Sequence, residues 1–337
     1  MGRERGNLMR ADMAEQPAVL ERLLGDGSGE IEAAARELRR RRPRLVVFVA
    51  RGSSDHAANF GRYLVERFLG VPACLAAPSV LTVYRKRVDL RGAAVIGVSQ
   101  SGRSPDVVEY LAAARKSGAA TLAMTNDAAS PLARAAERVL LLRAGPELGI
   151  PATKTFTAQV AVLQLLIGAW SGVRALEAGV RAAPELCARA LDSAARVRAG
   201  LAGRTKADRW IVLGRGLAFP VALEIALKLK EAAGVFAEGW SAADFLHGPA
   251  AAAGGAQVLL LRSGGPGDAT VRRAAERLPA PRKAVWRIPF GERLRASELS
   301  AHFPLAVTGQ LIALELGLAR GLDPDRPAGL KKITTAR

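Results

Sequence analysis

Two short stretches of the chain carry the side chains best suited to chemistry. The first, Gly97–Asp106 (GVSQSGRSPD), follows an apolar run and places three serines before a proline and an acid. Ser104, Pro105 and Asp106 predict an N-cap, a first-turn proline and a carboxylate at the positive end of a helix. Hydroxyls and unpaired amide groups ahead of that cap would bind one oxyanion, such as a phosphate. A plain polar turn is the competing interpretation, since no nucleotide-binding glycine pattern follows.

The second stretch is the helix-forming run Ala222–Gly234 (ALEIALKLKEAAG), in which Glu224, Lys228 and Glu231 fall at i, i+4 and i+7. The rest of the run is apolar on almost every side, which predicts a largely buried helix. A solvated stripe with one Glu–Lys pair is the plainer interpretation. On a buried helix, however, the stripe must face a polar cavity or carry a large desolvation cost. Glu231 would then shuttle a proton, with a pKa set by Lys228 and by burial.

The chain has three histidines, and His247 is the candidate for acid–base chemistry because it precedes Gly248-Pro249, a turn that would fix the imidazole. His56 and His302 are interpreted as surface or packing residues. Lys154, in PATKTF, would either steady a substrate loop or cap a helix. No histidines, cysteines or acids have metal-ligand spacing, and neither a metal nor a cofactor is expected.

Composition indicates an α/β protein with an Ala, Leu and Val core, because half of the 337 residues are hydrophobic and only 5% are aromatic. Cys74 and Cys187 lie in apolar or helical contexts, which predicts a reduced, cytoplasmic protein without disulfides. The N-terminus has no apolar signal-peptide core. The most apolar run, residues 156–173, is interrupted by Gln159 and Gln164, so we expect a buried helix and no membrane span.

The formal net charge of +18 raises the question of nucleic-acid binding. The basic residues are mainly arginines scattered along helices, with few aromatics between them, and no nucleic-acid-binding motif is visible. A solvated basic surface that attracts small anions is the favoured interpretation, and no nucleic-acid partner is expected.

The chain repeats one plan, in which a strand, an Arg-Gly turn and a helix start at Arg51-Gly52 and again at Arg215-Gly216. About fifty residues after each first strand, a second strand–loop–helix follows. This predicts two halves, each a parallel sheet covered by helices, with ligands at the carboxyl ends of the strands. The second copy of the serine loop reads RSGGPGD, so one phosphate site per chain is expected. The predicted division is an N-terminal helical segment 1–42, a domain 43–175, a helical connector 176–205, a domain 206–322 and a tail 323–337.

Five ordered motifs carry a family resemblance: RGSSDH, VSQSGRSPD, PATKTFTAQ, the run from ALEIALKLKEAAG to DFLHGP, and DRPAGLKKIT. Together they resemble the tandem sugar isomerase (SIS) domains of glucosamine-6-phosphate synthase and of stand-alone SIS-type glucosamine-6-phosphate deaminases. The resemblance covers nearly the whole chain from about residue 15. It implies two SIS domains, each a flavodoxin-like three-layer sandwich.

The resemblance also implies site residues. Those that hold the sugar phosphate are Gly52, Ser53, Ser54, Ser99, Gln100, Ser101 and Ser104, with Ala152 and Thr153 on a further substrate-binding loop. Glu231 moves a proton between C1 and C2, beside Lys228. His247 assists ring opening, and Lys332 lies on the tail that closes the sugar site. Ala152, Asp244 and Arg103 depart from the residues usual in the family, which affects sugar selectivity more than reaction type.

The expected reaction is conversion of glucosamine 6-phosphate to fructose 6-phosphate and ammonia. Glutamine-driven synthesis is not expected of this chain alone, because it shows no counterpart of a glutaminase domain. The alternatives are isomerisation of another hexose phosphate, and a sugar-phosphate-binding regulator without turnover. The resemblance further implies a homodimer in which His247 reaches the partner's site. A mobile-looking stretch, Glu238–Asp244, would project His247 away from its own Glu231.

Overall fold

The computed structural model describes residues 4–278, 284–288 and 296–332. The helices are, in chain order, α1 Asn7–Ala14, α2 Gln16–Asp26, α3 Ser28–Arg41, α4 Ser53–Leu69, α5 Ser79–Thr82, α6 Pro105–Lys116, α7 Pro131–Ala135, α8 Lys154–Ser171, α9 Arg174–Arg181, α10 Ala183–Leu191, α11 Ala194–Leu201, α12 Ala218–Ala233, α13 Ala242–Phe245, α14 Asp268–Glu276 and α15 Glu298–Ala319. The strands are β1 Leu45–Val49, β2 Ala73–Leu75, β3 Ala93–Val98, β4 Ala120–Thr125, β5 Arg138–Leu141, β6 Arg209–Gly214, β7 Phe236–Ser241, β8 Gln257–Leu261 and β9 Val285–Ile288.

The chain divides into two compact units. One unit comprises residues 18–146, 154–181 and 331–337, and the other comprises residues 1–17, 147–153 and 182–330. Each unit contains one parallel sheet flanked by helices, which confirms the predicted α/β fold with tandem sheets. Helices α1–α3 precede β1 in the chain, and helices α9–α11 lie between α8 and β6. The predicted domain boundaries stay a prediction.

The first unit has a five-stranded sheet in the order β2-β1-β3-β4-β5, and every pairing is parallel. This is the flavodoxin-like order, with its switch point between β1 and β3. Strands β3 and β4 are buried along their whole length, as expected for strands covered on both faces. The apolar run predicted to be a buried helix is α8, which packs against α3 and α4.

The second unit has a four-stranded parallel sheet in the order β7-β6-β8-β9. Its helix α12 connects β6 to β7 and packs against α15. Among the described residues, α15 alone is long and apolar enough to cross a membrane, but 94% of its apolar window is buried. We therefore interpret α15 as a core helix of this unit.

Two strands lie where the sequence did not predict them, and one expectation is wrong. β2 is a three-residue edge strand, and β7 contains a glycine and begins at Phe236, which is 82% exposed. The stretch Glu238–Asp244, expected to be mobile, instead pairs with β6 as β7 and continues into α13. Backbone pairing to a neighbouring strand, rather than side-chain pattern, fixes this segment, because edge strands tolerate mixed composition.

Candidate active site

The serine loop, residues 99–104, joins β3 to α6 at the carboxyl edge of the five-stranded sheet. Ser99 is buried, and its amide extends the sheet by donating to the Met124 carbonyl at 3.0 Å. The Gly102 amide donates to Ser99 Oγ at 3.2 Å and curls the loop back. Gly102 has a φ of 61°, and a Cβ there would lie 2.3 Å from Ser130 Oγ. Only glycine fits this turn, so the loop is shaped by its own backbone.

Ser104 is the N-cap residue of α6 and Pro105 is its first helical residue, as the sequence predicts. The Ser104 hydroxyl makes no capping hydrogen bond with the helix. Ser101 Oγ accepts a long hydrogen bond, 3.3 Å, from the Arg103 amide, and both hydroxyls are partly exposed together with Gln100. Two hydroxyls therefore lie at a helix N-terminus with capacity for an anion. Phosphate binding at this loop stays a prediction.

The turn Gly52–Ser54 lies beside the serine loop, because β1 and β3 are paired neighbours up to Val49 and Gly97. Gly52 has a φ of 57°, and Ser53 and Ser54 open α4. The buried Gln159 of α8 donates from Nε2 to Ser54 Oγ at 2.9 Å. The two helix N-termini thus face the same edge of one sheet, which is where open α/β sheets bind ligands.

An ion pair joins these two turns. Arg51, directly before Gly52, pairs with Asp106 in the first turn of α6. Asp106 is buried, whereas the Arg51 side chain is 54% exposed. A carboxylate at this place opposes anion binding, and the guanidinium offsets its charge. The sequence analysis did not find this pair, since the two residues lie on different strand–helix connections.

We expect Ser101→Ala combined with Ser104→Ala to raise the KM for phosphorylated sugars strongly. Each lost hydrogen bond to a charged group is worth about 1.5–3 kcal/mol, so two losses weaken binding by on the order of 100-fold or more. Steady-state kinetics measures the effect, with Ser117→Ala at the opposite end of α6 as the matched control. An unchanged KM in the double variant would remove the loop from the phosphate site.

The corresponding loop of the second unit is filled by the protein itself. Asp268 Oδ1 accepts hydrogen bonds from the Ser263 amide at 2.9 Å and the Ser263 hydroxyl at 3.1 Å, and Oδ2 accepts from the Gly264 amide at 3.0 Å. A Cβ on Gly265 would lie 2.4 Å from the carboxyl group of Glu298. Two carboxyl groups thus cover this loop, which supports the prediction of one phosphate site per chain.

The charged stripe on α12 has the predicted geometry. Lys228 is fully buried, with Nζ 3.4 Å from Glu224 Oε1 and in a close ion pair with Glu231 Oε2. Glu224 is 1% exposed, whereas the Glu231 side chain is 20% exposed. Two buried charges are therefore paired with each other, and Glu231 is the member with access to a ligand.

A third carboxyl group, Glu147, completes this cluster and was missed by the sequence analysis. It is buried, and Oε1 accepts from the Thr153 amide at 2.7 Å and the Thr153 hydroxyl at 3.3 Å. Burial alone would lower the pKa of Lys228, but the carboxylates of Glu224, Glu231 and Glu147 outweigh it and raise that pKa above its usual range. Lys228 is thus held as a cation. A lone glutamate after Pro146 gave no sequence signal, because its partner lies on a distant helix.

The remaining predicted residues have the following places. His247 is exposed, follows α13 and precedes a short 3-10 helix, Pro249–Ala253. Within the described part of the chain, its imidazole has no hydrogen-bonding partner. Ala152 lies beside Thr153 in the second unit, and Lys332 is half-buried at the end of the described tail. No group of three or more His, Cys, Asp or Glu side chains among the described residues is arranged to hold a metal.

Comparison with known proteins places this geometry in a family. The SIS domain matches residues 38–169 and 205–284, which is more than half of the chain. The chain belongs to the SIS domain family. The curated relatives of this SIS protein include the glutamine–fructose-6-phosphate aminotransferase (isomerizing) of Methanothermobacter thermautotrophicus, which is 34% identical over 86% of this chain and 51% of its own length. The chain thus spans about half the length of such relatives.

Solved structures share the fold of the SIS protein. A Silicibacter pomeroyi protein described as a candidate phosphosugar isomerase is 33% identical, with a TM-score of 0.82 over 94% of this chain and 99% of that one. The glucosamine-6-phosphate deaminase of Thermotoga maritima is 24% identical, with a TM-score of 0.73 over 94% and 100% of the two chains. At that identity the second likeness shows the fold alone.

Proposed function

We propose that this SIS protein is a sugar-phosphate isomerase and deaminase that converts glucosamine 6-phosphate to fructose 6-phosphate and ammonia. The observation that carries the proposal is the α12 cluster, in which a partly exposed Glu231 is paired with the buried cation Lys228. A carboxylate held in this way has a fixed position and an adjacent positive charge that stabilises its ionised form, as a proton-transfer base requires.

The proposed reaction begins with the phosphate on the serine loop. His247 assists opening of the sugar ring, and Glu231 then takes the proton from C2 of the open aldosamine. Glu231 returns the proton to C1, which leaves an imine at C2. Water adds to this imine, and its hydrolysis gives the ketose and ammonia. Lys332, on the C-terminal tail, and Thr153, held by Glu147, contribute further contacts to the sugar.

Deamination is favoured over plain isomerisation by the charge of the cluster. Three carboxyl groups, those of Glu224, Glu231 and Glu147, surround a single ammonium group, that of Lys228. This excess of acidic groups attracts the protonated amine of an amino sugar. It gives no such attraction to the neutral hydroxyl group at the same position of a plain hexose. The name of the 33% identical solved relative, a candidate phosphosugar isomerase, is consistent with the isomerase part of the proposal.

The position of His247 supports a site shared between two copies of the chain. Glu231 lies near the end of α12, directly before the start of β7, whereas His247 follows the end of β7. The six residues of β7 span about 20 Å, so Glu231 lies toward the amino ends of the strands and His247 toward their carboxyl ends. A homodimer in which His247 of one chain serves Glu231 of the other resolves this separation.

The test of the function is a panel of hexose and hexosamine 6-phosphates, assayed for both ketose and ammonia. We expect fructose 6-phosphate and ammonia in equal amounts from glucosamine 6-phosphate. Ketose formation without ammonia from another hexose phosphate would replace deamination with plain isomerisation. Binding of sugar phosphates without any product would identify a regulator instead.

A further inference from the structure

The loop Glu147–Thr153 carries Ala152 and Thr153, the residues that the resemblance places at the sugar. Polar side chains from distant parts of the same unit hold its backbone. We propose that Asp12, on α1, is a positioning residue that clamps this substrate loop and thereby sets the affinity for the sugar phosphate. This inference rests on the proposed function and adds to it a role for the N-terminal helix.

Asp12 makes the central contact of the clamp. Its side chain is only 1% exposed, and Oδ2 accepts hydrogen bonds from the Leu148 amide at 2.9 Å and the Gly149 amide at 2.7 Å. A buried carboxylate is retained only where donors satisfy it, and here one oxygen accepts from two consecutive amides. A Cβ on Gly149 would lie 3.3 Å from both Asp12 Oδ2 and the Met9 backbone, so helix and loop are in close contact.

The other end of the loop, at Thr153, is held through the same N-terminal segment of the chain. Gln310 Nε2 donates to the Thr153 carbonyl at 3.4 Å, and the buried Gln16 donates to Gln310 Oε1 at 2.9 Å. Gln16 is the first residue of α2, four residues after Asp12. One short N-terminal segment thus fixes the start of the loop directly and its end through one intermediate side chain.

The position of Asp12 predicts an effect on binding more than on chemistry. Asp12 holds backbone amides and lies on a different element from the Glu231–Lys228 pair of α12. Loosening the loop displaces Ala152 and Thr153 and shifts Glu147, whereas the Glu231–Lys228 ion pair is made within α12 itself. The expected signature is therefore a rise in KM that exceeds the fall in kcat.

The test compares Asp12→Ala with Asp12→Asn, which keeps an acceptor oxygen of the same size. We expect Asp12→Ala to raise the KM for glucosamine 6-phosphate about 10-fold or more and Asp12→Asn to recover most of this loss. Arg10→Met is the matched control, because Arg10 lies on the same helix as Asp12 but pairs with Glu315 at 3.2 Å, and its loss leaves Glu315 paired with Arg198. If Asp12→Ala does not fold, Gly149→Ala takes its place. This variant adds a methyl group where α1 meets the loop, and we expect it to raise the KM as well.

Hydrogen exchange of the Leu148 and Gly149 amides provides a readout that needs no substrate. Faster exchange in Asp12→Ala, but not in Arg10→Met, supports the clamp. Equal KM values in Asp12→Ala and the wild type, or an equal rise in Arg10→Met, would overturn it. If the wild-type protein turns over no sugar phosphate, the proposed function fails, and unchanged exchange in Asp12→Ala would still refute the clamp separately.

Discussion

Replacing Glu231 by Gln lowers kcat by on the order of 10²–10⁴-fold and leaves binding of the sugar phosphate largely intact. The amide keeps the shape and a hydrogen-bonding oxygen of the carboxylate, but it cannot accept the C2 proton. Lys228 stays paired in the variant, since Glu224 Oε1 lies 3.4 Å from its Nζ. Steady-state kinetics and solvent exchange of the C2 hydrogen measure the two consequences together.

The matched control for this variant is Glu238→Gln. Glu238 is an exposed carboxylate on β7 that accepts a hydrogen bond from the Trp240 indole at 2.9 Å, so the same chemical change there leaves α12 untouched. We expect wild-type turnover in the control. Persistent exchange of the C2 hydrogen in Glu231→Gln would assign the proton transfer to another residue.

Co-expression of Glu231→Gln chains with His247→Asn chains restores about a quarter of the wild-type activity, whereas each variant alone is nearly inactive. Under a two-fold axis, random pairing makes about half of the dimers mixed. Each mixed dimer has one site with an intact Glu231 and an intact partner His247, and a second site that lacks both. The physical basis is the separation of these side chains toward opposite edges of the four-stranded sheet.

The measurement compares the specific activity of the mixture with that of the two variants purified separately and combined without exchange of subunits. Recovery only after co-expression demonstrates a site assembled from two chains. Absence of recovery would show that Glu231 and His247 act within one chain, and the shared-site proposal would then be wrong.

The fold and the α12 stripe could be predicted because their signals are local. A strand that ends in a serine-rich turn and a helix with charges at i, i+4 and i+7 are visible within ten to fifteen residues. The alternation of buried strands and Ala-rich helices gave the parallel sheets in the same way. The short edge strand β2 and the glycine-containing β7 were not predicted, because no alternating pattern of apolar and polar residues marks them.

The residues that hold the site together could not be found by such patterns. Asp12 meets Leu148 across 136 positions of sequence, and Gln16 meets Gln310 across 294. Glu147 comes close to Lys228 of α12 only in the folded protein. Each is a single polar residue in an unremarkable local context, and its role exists only in the tertiary structure. Sequence analysis therefore recovers the reactive groups sooner than the groups that orient them.

The carboxylate of Asp268 makes the two halves of this duplicated chain unequal. It lies five residues from Ser263, so it occupies its loop as a tethered competitor with an effective concentration in the millimolar range or above. A dissolved phosphate must compete with this carboxylate for the same amide and hydroxyl donors, which weakens phosphate binding at the loop. We therefore expect no phosphate at the duplicate loop, and saturation of the protein with one sugar phosphate for each chain.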